Sequence, residues 1–437
     1  MSQLGSLPQE TVVDILARLS ITSLGRCRCV CKSWHSLIVD PFFINKQLCV
    51  NRHGCSIDGD RNHYFFLHYS IFQRDCRNSS EPYFYSFHSL HCSETFEECK
   101  RLQFPTDIGG FSIKISSCNG VLCLLRCHDI GYSYAIILWN PSINKFKILP
   151  KPNGQFETSS PIDVSVGIGF VPRTNDYKVV CLMSLTRNSD VFFSPHIEIY
   201  SLSTDSWTTW TSTYDVQWRL YRRTTDASVN GAVHWTATKT TWCDDDDGSQ
   251  LIVSFHLADE VLGEICLPKC HCGRPNRNYG FISVIHEKLA FTIDCGDEDL
   301  FYQKVWEIWV LEDYNNSRES WTRFRTITMG PSFRNMVPVQ FLNNGEVVVC
   351  SGMGRLIVID PNTQQIVAKE LRGSGFIVVN YTQSLVLVNE GTDGPSTEMS
   401  SFAKELKEFV LGKCVATLRK FSGRMHRYIT QNSIEHG

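Results

Sequence analysis

The sequence predicts a mainly β fold, a six-bladed β-propeller over residues 61–390, with a helical module over 1–48, a linker over 49–60, and a C-terminal helix with polar tail over 391–437. Three observations carry this. Apolar residues at three-and-four spacing are confined to the two ends of the chain. Between them lie short apolar runs broken by Gly, Asn, Asp and Pro, which is the pattern of strands and turns. A hairpin of similar design also recurs about every fifty residues, the period of propeller blades.

In the helical module, Pro8 suits the first helical position, where its missing N–H costs nothing, and Gln9 and Glu10 follow in the first turn. Val12, Ile15, Leu16 and Leu19 form an apolar stripe. A second helix is expected from a cap at Thr22 or Ser23. A third runs through Lys32, Trp34, Leu37 and Ile38, and Asp40-Pro41 caps a fourth. Gly25 interrupts the second helix at a cost of up to about 1 kcal/mol relative to Ala. So small a module buries little surface, which makes the stripe a docking candidate.

These residues, from Leu7-Pro8 through Ile15-Leu16, Leu19, Ser23-Leu24, Val30-Cys31-Lys32, Trp34 and Leu37-Ile38 to Asp40-Pro41-Phe42, resemble the F-box. Ser20 stands where a proline often follows the leucine of that motif. The resemblance implies docking to a Skp-type adaptor and, through it, to a cullin and a RING subunit. The implied adaptor-binding residues are Leu7, Pro8, Ile15, Leu16, Leu19, Leu24, Val30, Cys31, Trp34, Ile38 and Pro41.

Turns following a strand begin at 88, 140, 201, 257, 313 and 360, the first of these the weakest unit, with Phe84 to Phe87 before a turn from His88 to Thr95. Such spacing is kelch-like. Inner hairpins are marked by Asn119-Gly120, Asn230-Gly231 and Asn344-Gly345, since Asn-Gly favours the positive φ of a tight turn. Two hairpins per unit give a four-stranded blade. The ring is expected to close where a strand at His63 to Tyr69 meets strands at Gly375 to Val379 and Ser384 to Val388.

The same region resembles the F-box-associated domain of a large plant family. The resemblance rests on Ser117 to Leu122, Leu138-Trp139-Asn140-Pro141-Ser142, Gly167-Ile168-Gly169-Phe170, Asp176 to Val180, Ser206-Trp207, Val229 to Trp235 and Glu319-Ser320-Trp321. It implies capture of a target protein for ubiquitination. Read as residues alone, the glycines answer turn geometry and the tryptophans pack between sheets.

Composition narrows the function classes. Lys and Arg total 42 against 45 Asp and Glu, so there is no basic field for nucleic acid. No apolar run reaches membrane-spanning length and no signal-like leader is present, so a soluble cytoplasmic or nuclear protein is expected, with no membrane partner. The 19 cysteines are expected to be reduced there. Cys266 with Cys270-His271-Cys272 lacks a second pair at zinc spacing, and the run Asp244 to Asp247 lacks the ligand pattern of a calcium loop, so no metal or other cofactor is expected. No HExxH, GxSxG or P-loop occurs, so no catalytic residue is assigned.

For target binding, the aromatic and arginine-rich segment Trp210 to Arg223 offers Trp218, Arg219, Tyr221 and Arg222, the residue types enriched at binding hot spots. A basic loop with Lys269, Arg274 and Arg277 comes second. Over 398–421 an apolar face of Met399, Phe402, Leu406 and Phe409 predicts a helix that docks on the protein. Two other readings stay open in the sequence: an F-box scaffold that binds the adaptor without promoting degradation, and a propeller enzyme.

Overall fold

The computed structural model describes residues 8–52, 64–71, 84–91, 100–102, 112–127, 134–153, 162–185, 196–211, 218–220, 226–239, 250–269, 280–295, 304–314, 320–333, 336–342, 345–351, 354–367, 371–372 and 375–386. The helix expected over 398–421 lies outside them.

Four helices open the chain: α1 (Gln9–Ala17), α2 (Ile21–Cys27), α3 (Lys32–Val39) and α4 (Pro41–Arg52). Pro8 is the residue before α1 rather than its first, with ψ 144°, and its carbonyl accepts the first helical bond from the Val12 N–H at 3.2 Å. Helix α2 begins earlier than the expected Thr22 or Ser23 cap. Ser20 caps it, its hydroxyl accepting the Ser23 N–H at 3.3 Å, a job a proline could not do. Gly25 lies within α2 and open space surrounds it, so the helix tolerates the glycine rather than needing it. The Asp40 carboxylate accepts the Phe42 N–H at 2.8 Å, and α4 continues past position 48 to Arg52.

Beyond the helices the described strands form six antiparallel sheets. Five are continuous stretches of chain, running from Ser112–Cys118 to Lys145–Ile148, Ile162–Val171 to Ser206–Trp210, Trp218–Leu220 to Val261–Cys266, Gly280–Ile285 to Trp321–Met329, and Met336–Phe341 to Leu371–Arg372. The other is composite. Tyr64–Ile71, Phe84–His91 and Lys100–Leu102 are joined by Gly375–Tyr381 from the far end, with Phe66 opposite Val379. Five blades are thus self-contained, against the six expected, while the strand at 64–71 meets Gly375–Tyr381 as expected for closure of the ring. In the composite sheet, the turn expected from His88 gives way to strand through His91, with Leu67 opposite His88.

Ser384 to Val386 form no strand, contrary to expectation. The Ser384 and Val386 carbonyls are taken by Asn140, and the Ser384 N–H by the Ser142 hydroxyl at 3.2 Å. The fully buried Asn140 amide donates to the Ser384 carbonyl at 3.1 Å, the Ser384 hydroxyl at 3.0 Å and the Val386 carbonyl at 2.9 Å, while its own oxygen accepts the Ser142 N–H at 2.9 Å. Ser142 in turn meets the hydroxyl of Tyr381, the last residue of the closing strand. The motif Trp139-Asn140-Pro141-Ser142 is thus a latch on the end of the ring.

Other motifs are also architectural. A Cβ on Gly167 or Gly169 would collide with Val233 or Leu257 of the next sheet, so these glycines let the sheets approach. The Trp207 indole donates to the Pro150 carbonyl at 2.7 Å and the Trp321 indole to the Cys266 carbonyl at 2.8 Å, each tying an outer strand to the end of the preceding sheet. Asn119 and Gly120 (φ 53° and 77°) and Asn230 and Gly231 (φ 54° and 70°) make the expected tight turns. His286 and Glu287 make another at φ 48° and 59°, without a glycine.

Candidate functional site

Helix α1 turns Val13, Leu16 and Ala17 inward at three-and-four spacing, which leaves Ile15 40% exposed. The predicted adaptor residues therefore divide. Pro8, Ile15, Val30, Cys31 and Pro41 face solvent, Leu19 and Trp34 are half-buried, and Leu16, Leu24 and Ile38 are in the core. Leu7 lies outside the described residues. The stripe expected to lack intrachain cover is covered at Leu16, because all four helices share one apolar cluster with sheet residues such as Val121, Ile168 and Val179. Phe42, 73% exposed, is the largest apolar side chain open to solvent on the helices and was not among the predicted site residues. The signal for it was its place directly after the cap Asp40-Pro41, two residues from the buried Ile44.

Cys31 is the residue before α3, and the Ser33 hydroxyl, 3.1 Å from its sulfur, together with backbone N–H groups of the first turn holds its thiol below the ordinary range. The module is strapped to the sheets by polar contacts too. The Asn45 amide donates to the Asn175 side chain at 3.2 Å and the Asn51 amide to the Gln383 carbonyl at 3.0 Å.

Asn175 sits in the turn between the first two strands of its sheet. In a four-stranded antiparallel unit, the turn from first to second strand and the turn from third to fourth emerge at one end, and the remaining connections at the other. The helices therefore contact the tight-turn end. At the opposite end lie the described strand ends Cys127 and Tyr134, Leu185 and His196, and Lys239 and Gln250.

Of the predicted target residues, the described structure places Trp218 and the backbone of Arg219 at that opposite end. Trp218 is 5% exposed and packs with Leu251, Val253 and Phe255; its strand pairs with Ala232–Lys239. The reason is its edge position on the inner side of a sheet, where the neighbouring sheet supplies an apolar wall. Arg219 is placed in backbone only, and Tyr221 and Arg222, like Arg274 and Arg277, lie outside the described residues. Lys269 is exposed.

The inner strands carry a polar cluster that sequence reasoning missed. Ser116 accepts the Ile168 N–H at 3.1 Å and donates to the Asp226 carboxylate, while Lys114 donates to the Val164 carbonyl at 2.9 Å and the Ser165 hydroxyl at 3.0 Å. Burial pushes the Asp226 carboxyl up to about 7, opposed by the Ser116 hydrogen bond and by the Lys114 charge. The cluster ties three consecutive sheets together. His234, wholly buried, donates from Nδ1 to the Ala227 carbonyl at 2.9 Å and is pushed down to about 4 by burial, so it is a neutral core residue. Among the described residues no group of three or more His, Cys, Asp or Glu side chains could hold a metal ion, and no helix is long and apolar enough to cross a membrane.

A helical module with exposed apolar side chains is thus fixed to one end of a ring of sheets. Family comparison agrees: residues 78–388 match the F-box associated beta propeller domain and residues 4–51 match the F-box-like family. The chain belongs to the plant F-box proteins that carry this propeller domain. Similar Arabidopsis thaliana proteins are F-box protein At3g07870 (27% identical, 73% of this chain and 72% of that one) and F-box/kelch-repeat protein At3g23880 (24%, 79% and 85%). F-box protein CPR1 of the same plant is 25% identical over 76% of this chain and 75% of its own.

Proposed function

We propose that this chain is the noncatalytic substrate-recognition subunit of a Skp-cullin-F-box E3 ubiquitin ligase. The F-box of residues 1–48 engages the Skp-type adaptor and, through it, cullin and RING subunits. The propeller domain over 61–390 holds the target. The mechanism is one of proximity: tethering raises the effective concentration of target lysines near the ubiquitin-transfer site, and this chain performs no chemistry.

The observation that carries this reading is that Ile15, Val30 and Phe42 stay exposed on a module docked at the tight-turn end. Apolar side chains of that size gain by being covered. Targets are then taken at the opposite end, where the longer connections give room for variation without disturbing blade cores.

Affinity purification of the full chain from plant cells under proteasome inhibition tests the reading, using Val30→Asp with Phe42→Asp. Both positions are exposed, so the fold survives. Adaptor and cullin are expected to vanish from the purified material while a target remains. Retention of the adaptor by the double variant contradicts the proposal.

A further inference from the structure

Helix α4 belongs to the F-box by sequence and to the ring by contact. Its inward stripe of Phe43, Ile44 and Leu48 lies in the same apolar cluster as the sheet residues Val121, Val179 and Tyr200 and the post-strand residues Leu385 and Val386. Burial of this kind holds two bodies together without direction of its own, and close packing of the cluster restricts the angle between them only through the fit of its side chains. Direction comes from hydrogen bonds. Asn45 reaches the Asn175 turn of one sheet, and Asn51, six residues further along the helix, reaches the Gln383 carbonyl just past the closing strand. Two anchors separated along one helix fix its rotation as well as its position. Gln383 also adjoins Ser384, which Asn140 latches, so the second anchor stands on a segment that is itself held.

We propose that these two hydrogen bonds, and not the connection 53–63, set the orientation of the F-box on the ring, which makes Asn45 and Asn51 positioning residues. On the receptor reading above, this orientation decides where a captured target stands relative to the ubiquitin-transfer site. The device would make the distance between adaptor and target a property of the fold instead of a linker length.

Single-molecule energy transfer on the full chain, without adaptor, tests this, so a failure of adaptor binding would leave the measurement intact. Dyes are placed on genetically encoded residues at the exposed positions Glu10 in α1 and Thr322 in the sheet that runs from Gly280–Ile285 to Trp321–Met329. The native chain is expected to give one narrow distance distribution. A Gly-Ser insertion within 53–63 should leave it narrow, whereas Asn45→Ala with Asn51→Ala should broaden or split it at temperatures where circular dichroism shows both chains folded. A broad distribution in the native chain, broadening by the insertion, or a narrow distribution in the alanine pair would each overturn the proposal. A merely stabilising role for the asparagines would lower the melting temperature and leave the width unchanged.

Discussion

Asn140→Ala should open the ring at its latch. The native amide spends its two N–H groups on the Ser384 and Val386 carbonyls and the Ser384 hydroxyl, all in a site where Asn140 and Ser384 are fully buried. Each hydrogen bond to a neutral partner contributes about 1 kcal/mol net, and a buried carbonyl left unpaired costs about 1–3 kcal/mol. Two orphaned carbonyls with partial relaxation thus give a loss of about 2–4 kcal/mol. For a domain of this size, where 1 kcal/mol corresponds to roughly 2 °C, the melting temperature should fall by about 4–8 °C. Asn140→Asp should be at least as damaging, because it replaces both donors with a carboxylate facing carbonyl oxygens. Ser142→Ala, which removes the contact to the Tyr381 hydroxyl and the acceptor of the part-buried Ser384 N–H, should cost less than either. Thermal unfolding followed by tryptophan fluorescence measures all three. An Asn140→Ala protein melting within 1 °C of the native one would refute the latch.

Gln47 is fully buried and neither atom of its amide has a partner among the described residues, so Gln47→Leu should raise stability by about 1–2 kcal/mol in denaturant unfolding; a loss would show that the amide is satisfied. Trp218→Ala should destabilise by about 3–5 kcal/mol as a cavity in the core, so any loss of target capture should track the loss of fold; full stability with lost capture would restore Trp218 as a contact residue. Asp226 has a folded value of about 7 against 3.8, so the folded state keeps its proton longer than the unfolded chain. Its contribution is greatest below about pH 4 and is lost as pH rises through about 7, by at most about 4 kcal/mol. Asp226→Asn should flatten that part of the stability-pH curve, and an unchanged slope would remove Asp226 as its source.

Much of this was legible in residues. Three-and-four spacing gave the helices, and Asn-Gly pairs gave the inner turns at 119–120 and 230–231, because φ > 0 at two successive positions is a demand few residues meet. His286-Glu287 adopts the same geometry with no such signature and so escaped notice. Burial was harder to read. Ile15 and Leu16 are adjacent and equally apolar, yet one faces solvent and the other the core, since that depends on what α1 packs against. Trp218 was misread for the same reason: an aromatic beside an arginine looks like a binding hot spot until a neighbouring sheet covers it. Asp226 and Ser116 stand 110 positions apart, and only ring closure brings their side chains together.

The most direct test of the account is a calorimetric titration of the purified full chain with a Skp-type adaptor, comparing the native protein with Phe42→Asp. Phe42 is 73% exposed and makes no contribution to the buried cluster, so the variant should melt like the native protein. Burying a phenylalanine is worth about 1.5–3 kcal/mol, and placing a charge there adds desolvation, so affinity should fall at least tenfold. Native-like affinity in a folded Phe42→Asp chain, or no adaptor binding by the native chain, would contradict the assignment of this surface as the link to the ligase.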